Sequence, residues 1–184
     1  MKSMTLFYRF IILSFILCTY IQSAVLKPSD KKFKIVKITD ENKKTRIYYH
    51  LKKGQEMVFL NLEDFVDDPN ANYNIKIITR AKISPNSNSS KTFGIDMSIM
   101  EDGIERNKIL KYKKGSSKAK KSSKSGFDFT QAGFWFDEIR KVEDTKILIK
   151  LIDGSPELDV RVVIDEIKYR TSEHVLLPVN REKF

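Results

Sequence analysis

The chain has 184 residues, one cysteine and a formal net charge of +10, and its length is typical of a single domain. Eight lysines and no acidic residue lie between 108 and 124, so this stretch carries +8 of the net charge, Lys2 and Arg9 carry the other +2, and the rest is neutral. Because the excess is confined to one segment, the composition argues against a nucleic-acid-binding fold.

The first 24 residues have the order of a secretory signal peptide. Lys2 and Arg9 precede an apolar run from Phe10 to Ile21, and the small residues Ser23 and Ala24 follow. The run is shorter than the roughly 20 residues of a membrane-spanning helix, although an uncleaved anchor is the alternative. We predict a signal peptide over 1–24 and one domain over 25–184. The expected location is secreted or within a secretory compartment, with no membrane span and at most peripheral membrane contact.

The single cysteine, Cys18, lies inside this predicted leader. The processed chain would therefore have no disulfide, no thiol nucleophile and no cysteine metal ligand. A secreted domain of this kind must be stabilised by its hydrophobic core alone.

Period-two alternation of apolar and polar residues dominates the remainder and predicts strands. The alternating runs occupy residues 33–39, 45–51, 56–62, 73–83, 92–101, 104–112, 145–152 and 158–170. Turn pairs separate several of them, notably Lys53-Gly54, Asp102-Gly103 and Asp153-Gly154. The pattern predicts an all-β fold, an antiparallel β-sandwich of jelly-roll type with about eight to ten strands. An up-and-down β-barrel is the alternative.

An acidic, turn-rich segment over 63–72 is a candidate calcium site. Oxygen ligands would come from Asp64, Asp67, Asp68 and Asn70. Tyr73 stands where the loop of a helix–loop–helix site needs glycine, so only a loop-carboxylate site fits, and a solvated turn is the simpler interpretation. No other cofactor is expected.

A polar loop over 84–91 contains Asn88-Ser89-Ser90, which matches an N-glycosylation acceptor. A surface loop of a secreted protein suits this modification.

The most distinctive segment, 113–126, consists of lysine, serine and glycine with one alanine, and it predicts a mobile basic loop. Its polyanion-binding candidates are Lys113, Lys114, Lys118, Lys120, Lys121 and Lys124. An extracellular partner would be a sulfated glycan, an anionic surface or an acidic protein. The alternative is a solvated insertion that binds nothing.

An aromatic cluster follows this loop. Phe134 and Phe136 would share one face of a strand, and Trp135, the only tryptophan, would lie on the other. We consider Trp135 as an outward stacking residue for a sugar or a protein partner. In the alternative, Trp135 fills the core.

No catalytic residues are predicted, and an enzyme is not expected. His50 and His174 stand in unrelated contexts, and no nucleophile motif or phosphate-binding glycine loop is present. Carboxylates adjacent in sequence, such as Asp165 and Glu166, would point to opposite faces of a strand. A glycoside hydrolase built from distant carboxylates stays open.

The segment 158–169, which contains Asp165-Glu166 between apolar residues, resembles the closing strand of galactose-binding-like, jelly-roll carbohydrate-binding modules. The stretch 48–60, with Lys53-Gly54 at its centre, is similar to an early part of those modules. The resemblance implies a β-sandwich that binds ligands through loops or an aromatic face.

We therefore expect a secreted, non-enzymatic binding or adhesion module for a glycan, an anionic surface or a protein partner. The first alternative is a structural subunit of a secreted or cell-surface complex. The second is a glycoside hydrolase-like enzyme.

Overall fold

The computed structural model describes residues 23–40, 42–85, 89–121 and 127–167, with the backbone alone described over 118–121. Twelve strands and one 3-10 turn, η1, are present in these ranges. They are β1 (Ala24–Val25), β2 (Ile35–Thr39), β3 (Thr45–Leu51), β4 (Glu56–Phe59), η1 (Leu62–Phe65), β5 (Tyr73–Ile83), β6 (Lys91–Glu101), β7 (Ile104–Lys114), β8 (Ser116–Lys121), β9 (Asp128–Thr130), β10 (Gly133–Ile139), β11 (Lys146–Leu151) and β12 (Leu158–Glu166).

Two antiparallel sheets form a sandwich. The smaller sheet has the order β4-β11-β6-β7, and the larger has the order β1-β12-β3-β2-β8-β9-β5-β10. Strand β12 also pairs with β5, so that β5, β12, β3, β2, β8 and β9 close a ring within the larger sheet. The predicted all-β fold with two antiparallel sheets is confirmed. The up-and-down barrel is wrong, because β12 pairs with β3 and β5 and not with its neighbour in sequence, β11.

The main core lies between the sheets and is built by the predicted alternation. In β5 the buried residues Tyr73, Ile75 and Ile77 face it, and the closing strand adds Val160 and Val162. The smaller sheet contributes a facing apolar layer that includes Met57, Phe59, Phe93, Ile95, Met97, Ile147 and Ile149. Each large side chain of this kind contributes about 1.5–3 kcal/mol on full burial, which suits a domain without crosslinks.

A second apolar cluster lies on the opposite face of the larger sheet, inside the ring. Its members are Val36, Ile38, Tyr48, Ile78, Phe129, Ala132 and Val163. Phe129 is fully buried there. One face of the larger sheet therefore packs against the smaller sheet. Part of its other face is enclosed by the closed ring of six strands.

Turn chemistry agrees with the sequence at the β6–β7 hairpin. Asp102 and Gly103 both have positive φ, 51° and 76°, and Glu101 pairs directly with Ile104. This is the two-residue turn that Asp-Gly favours.

The lysine-rich segment differs from the predicted mobile loop. Lys113 and Lys114 end β7, and residues 116–121 form β8, which pairs with β2 through Thr39 and Ile38. The free backbone groups of β2 and β9 supply hydrogen-bonding partners that compensate for the weak strand preference of lysine and serine. Residues 122–126 lie outside the described ranges.

Ala24, the last residue of the predicted leader, pairs with Ile164 in β1. The leader up to residue 22 lies outside the described residues, and the boundary between leader and domain stays a prediction. Within the described part of the chain, no helix has the length and apolar character needed to cross a bilayer.

Candidate functional site

Two phenylalanine rings are exposed side by side on the larger sheet. Phe134 and Phe136 in β10 are 47% and 57% exposed, and they pair in register with Ile78 and Lys76 of β5. Directly opposite residues of an antiparallel pair share a face. All four side chains therefore lie on the face of the larger sheet that carries the second apolar cluster. We call Phe134, Phe136 and Lys76 the aromatic platform.

The orientation of β10 follows from its partner strand. Trp135 pairs with Ile77, a core residue, and packs half-buried against the main core. Trp135 therefore faces inward, and its predicted role as an outward stacking residue is corrected. The register with β5 decides this, because Ile77 faces the smaller sheet and its neighbours Lys76 and Ile78 face away from it.

Lys76 is held over both exposed rings. Its Nζ lies 5.1 Å from the ring centroid of Phe134 and 5.0 Å from that of Phe136. Both distances are within the roughly 6 Å range of a cation–π contact. Among the residues that the structure describes, no carboxylate forms an ion pair with Lys76, and its ammonium contacts the two ring faces.

Polar side chains from β12 continue this face beyond Lys76. In register, Arg161 lies opposite Ile78, and Asp165 lies opposite Asn74. Burial lowers the pKa of the Arg161 guanidinium, an effect that the nearby Asp165 carboxylate partly offsets. Oδ1 of Asp165 is buried without a hydrogen-bond partner in the described part of the protein. The face thus combines an apolar platform with several hydrogen-bonding groups.

The predicted basic residues are distributed over two strands. Lys113 and Lys114 lie at the end of β7, and Lys118, Lys120 and Lys121 lie in β8, whereas Lys124 is outside the described residues. The structure adds Lys91, which pairs in register with Lys114 and donates from Nζ to the carbonyl oxygen of Lys82 at 2.9 Å. Lys91 of β6 thus lies beside the predicted basic residues at the end of β7.

The acidic segment forms turns around η1. Oδ1 of Asp68 accepts a hydrogen bond from the backbone N–H of Asn70 at 3.0 Å, and the carbonyl oxygen of Asp68 accepts one from the Tyr73 hydroxyl at 2.7 Å. Asp64 and Asp67 are exposed. In the described ranges, no group of three or more potential ligands from histidine, cysteine, aspartate and glutamate is brought together. The predicted calcium ligands are thus not assembled into such a group.

Two predicted positions cannot be placed, since Asn88 and His174 lie outside the described residues.

His50 is buried between two carboxylates. Its Nδ1 lies 2.8 Å from Oδ1 of Asp159, and its Nε2 lies 2.9 Å from Oε2 of Glu157. Asp159 is itself buried, on the strand that pairs with β3. Because both ring nitrogens are engaged, His50 has neither nitrogen free to serve as a base. The arrangement ties β3 to β12.

A separate open groove has a volume of about 470 Å³. Its walls include Phe33, Ile35, Tyr49, Leu60 and Phe65. Burial raises the pKa of the Tyr49 hydroxyl. Polar and charged side chains, including Lys27, Asp30 and Asp64, complete its lining, which shares no residue with the aromatic platform.

The sequence of this chain matches no protein-family model, and no curated protein matches it. Solved structures similar in fold include a xylan-binding domain of carbohydrate-binding-module family 22, at a TM-score of 0.37 and 11% identity, covering 82% of this chain and 90% of that one. A family 22 xylan-binding domain from Paenibacillus barcinonensis gives 0.37 and 12%, with coverages of 80% and 94%. A family 16 carbohydrate-binding module gives 0.32 and 9%, with coverages of 73% and 85%.

The structures found are of the class that the closing strand of this chain resembles. At these identities and TM-scores, the likeness transfers neither a ligand nor a binding residue to this chain.

Proposed function

We propose that this protein is a secreted, non-enzymatic module that binds glycans on the aromatic platform. The observation that carries the proposal is the pair of exposed rings, Phe134 and Phe136, on one face of a sheet. Large exposed apolar side chains grouped beside hydrogen-bonding groups are typical of ligand sites.

The geometry suits a sugar chain. Phe134 and Phe136 are two residues apart on a strand, which separates their positions by about 7 Å. A sugar presents apolar C–H groups on a ring face and hydroxyls at its rim. The rings of the platform would contact the former, and Asn74 and Asp165 would meet the latter. Because the rings stand on a paired strand, little conformational entropy is lost on binding.

The secretory address is supported by the charge and apolar order of the first 24 residues. The non-enzymatic character is supported by the engagement of both ring nitrogens of His50.

A glycan array probed with the full chain, as processed by a secreting host, tests the proposal. The double substitution Phe134→Ala/Phe136→Ala should weaken binding at least tenfold, because a loss of about 1.4 kcal/mol suffices for that factor. A matched control is Ile104→Ala/Ile109→Ala, which removes two side chains that are 68% and 64% exposed in β7. Absence of binding to any glycan, or equal loss in both variants, would contradict the proposal.

A structural subunit of a surface complex is the second candidate. The exposed face of the smaller sheet carries Met100 and Ile109, which are 40% and 64% exposed. If the Ile104→Ala/Ile109→Ala variant alone shifts a larger species to monomer in size-exclusion chromatography, this second function is favoured.

A further inference from the structure

The surroundings of the Lys76 ammonium differ from those of the other cations on the same face. Arg80 donates from Nη1 to the Thr130 carbonyl oxygen at 2.8 Å and to Oγ of Ser117 at 3.1 Å. Arg161 is influenced by the carboxylate of Asp165. Lys76 has two ring faces in place of such partners.

The acidic groups around Lys76 have cationic neighbours of their own. On β10, Glu138 lies 3.8 Å from Nε of Arg140. On β12, Asp165 lies on the same face as the cation Arg161. Among the described residues, no carboxylate forms an ion pair with Lys76, so the platform carries one positive charge without a direct counter-ion.

The positive charge of Lys76 affects whether a neutral or an acidic sugar binds the platform more tightly. A neutral sugar that stacks on Phe134 and Phe136 must displace the ammonium from the ring faces and so loses the cation–π contact. An acidic sugar displaces the ammonium toward its own anionic group, and the new ion pair compensates for that loss. The attraction between two unit charges a few ångströms apart is stronger at a partly buried surface than in bulk water.

We infer that the aromatic platform selects acidic sugars, with Lys76 pairing to a carboxylate or sulfate group while Phe134 and Phe136 stack on the ring. The inference rests on the proposed glycan-binding function and specifies its ligand class. Lysine suits this role because its ammonium is a point charge that can pair with either a carboxylate or a sulfate.

The test compares matched pairs of immobilised oligosaccharides. One set contains uronic acids beside their carboxyl-reduced forms, and a second contains sulfated sugars beside their desulfated forms. The acidic member of at least one set should bind the full processed chain about tenfold more tightly at low salt, and the difference should fall as salt rises. The set that shows the preference identifies the anion.

Four variants assign the preference to Lys76. Lys76→Gln should bring the acidic form to the affinity of the neutral one, and Phe134→Ala should weaken both. Lys146→Gln, which removes one positive charge from the other sheet, should leave the preference intact, as should Lys113→Gln/Lys114→Gln. Thermal unfolding of each variant verifies that it is folded.

The outcomes separate the two proposals. Equal binding of acidic and neutral forms, unchanged by Lys76→Gln, overturns the selection of acidic sugars and leaves glycan binding standing. A preference that survives in Lys76→Gln and disappears in Lys113→Gln/Lys114→Gln assigns the selection to the basic strands and overturns the role of Lys76. Failure of both forms to bind in both sets overturns glycan binding on the platform together with this inference.

Discussion

The guanidinium of Arg106 in β7 donates a hydrogen bond from Nη2 to the backbone carbonyl oxygen of Glu138 in β10, at 3.2 Å. Strand β10 is an edge of the larger sheet, and an edge strand presents unpaired backbone groups. Tyr112, also in β7, donates its hydroxyl to the carbonyl oxygen of Phe134 at 3.0 Å. Side chains of the smaller sheet therefore donate hydrogen bonds to backbone carbonyl oxygens of the edge strand of the larger sheet. These bonds hold β10, which carries Phe134 and Phe136, in place.

Arg106→Ala should lower the free energy of unfolding by about 2 kcal/mol, since hydrogen bonds to charged groups contribute about 1.5–3 kcal/mol. Arg106 also forms ion pairs with Glu101 at 2.9 Å and Asp137 at 3.0 Å. Urea denaturation provides the measurement. Arg140→Ala is the control, because that side chain is 82% exposed and its ion pair is long, at 3.8 Å, so the loss should stay below about 0.5 kcal/mol. Equal losses in the two variants would refute the bridging role.

His50→Leu should lower the free energy of unfolding by about 2 to 3 kcal/mol, because it leaves the buried carboxyl group of Asp159 without its hydrogen-bond partner on His50. Denaturation followed by circular dichroism measures the loss. The double variant His50→Leu/Asp159→Leu should be more stable than His50→Leu alone, since neither buried polar group of the pair is then left without its partner. A double variant that loses the sum of the two single losses would show that the two side chains are not coupled.

Trp135→Phe should change stability by less than about 1 kcal/mol. The substitution keeps an aromatic ring against the core and removes an indole N–H, Nε1, that is buried without a partner in the described residues. Trp135→Ala should cost about 3 kcal/mol. Glycan affinity of the Trp135→Phe variant should be unchanged, because the ring faces away from the platform. A loss of affinity in this folded variant would restore Trp135 as a stacking residue.

Asp40, in the turn between β2 and β3, should make a pH-dependent contribution to the stability of the fold. Its Oδ1 accepts hydrogen bonds from the backbone N–H groups of Lys44 and Asn42, each at 2.9 Å. The bond from Lys44 is the main reason that the pKa of Asp40 lies below its ordinary value of 3.8, and the nearby charge of Arg46 adds to the effect. A lowered folded-state pKa stabilises the protein above 3.8, and this stabilisation is lost as the pH falls through the folded-state pKa.

Asp40→Asn tests this contribution because it keeps an acceptor oxygen and removes the charge. The variant should melt below the unmodified chain at pH 7, and the two melting temperatures should converge as the pH falls below 3.8. Asp153→Asn, in the turn after β11, is the comparison. A gap between Asp40→Asn and the unmodified chain that stays constant with pH would contradict the role of the charge.

Much of the fold was predictable because its signals are local. Alternation over 73–83 marks β5, and Asp102-Gly103 marks the β6–β7 turn, since a half-buried sheet and a two-residue hairpin each impose their pattern on consecutive residues. Strand β8 was missed because its lysines and serines carry no such pattern. That segment becomes a strand through pairing with β2 and β9, which lie elsewhere in the chain.

The candidate site was predictable only in part. Alternation showed that Trp135 lies on the face opposite Phe134 and Phe136, but not which of the two faces would be buried. Lys76 gave no signal of its own, since polar residues on the outer face of a strand are ordinary. It reaches the rings because β5 and β10, far apart in sequence, pair in one register.

The amino-acid sequence by itself determined the β class, the chief hairpin turn, the alternating core positions and the concentration of charge between 108 and 124. These depend on side-chain periodicity and local backbone preference, which neighbouring residues carry. The tertiary structure alone decided the inward position of Trp135, the burial of His50 between Asp159 and Glu157, and the contact of Lys76 with both phenylalanine rings. Each of these depends on the register between strands distant in the chain, and a shift of one residue exchanges the two faces of a strand.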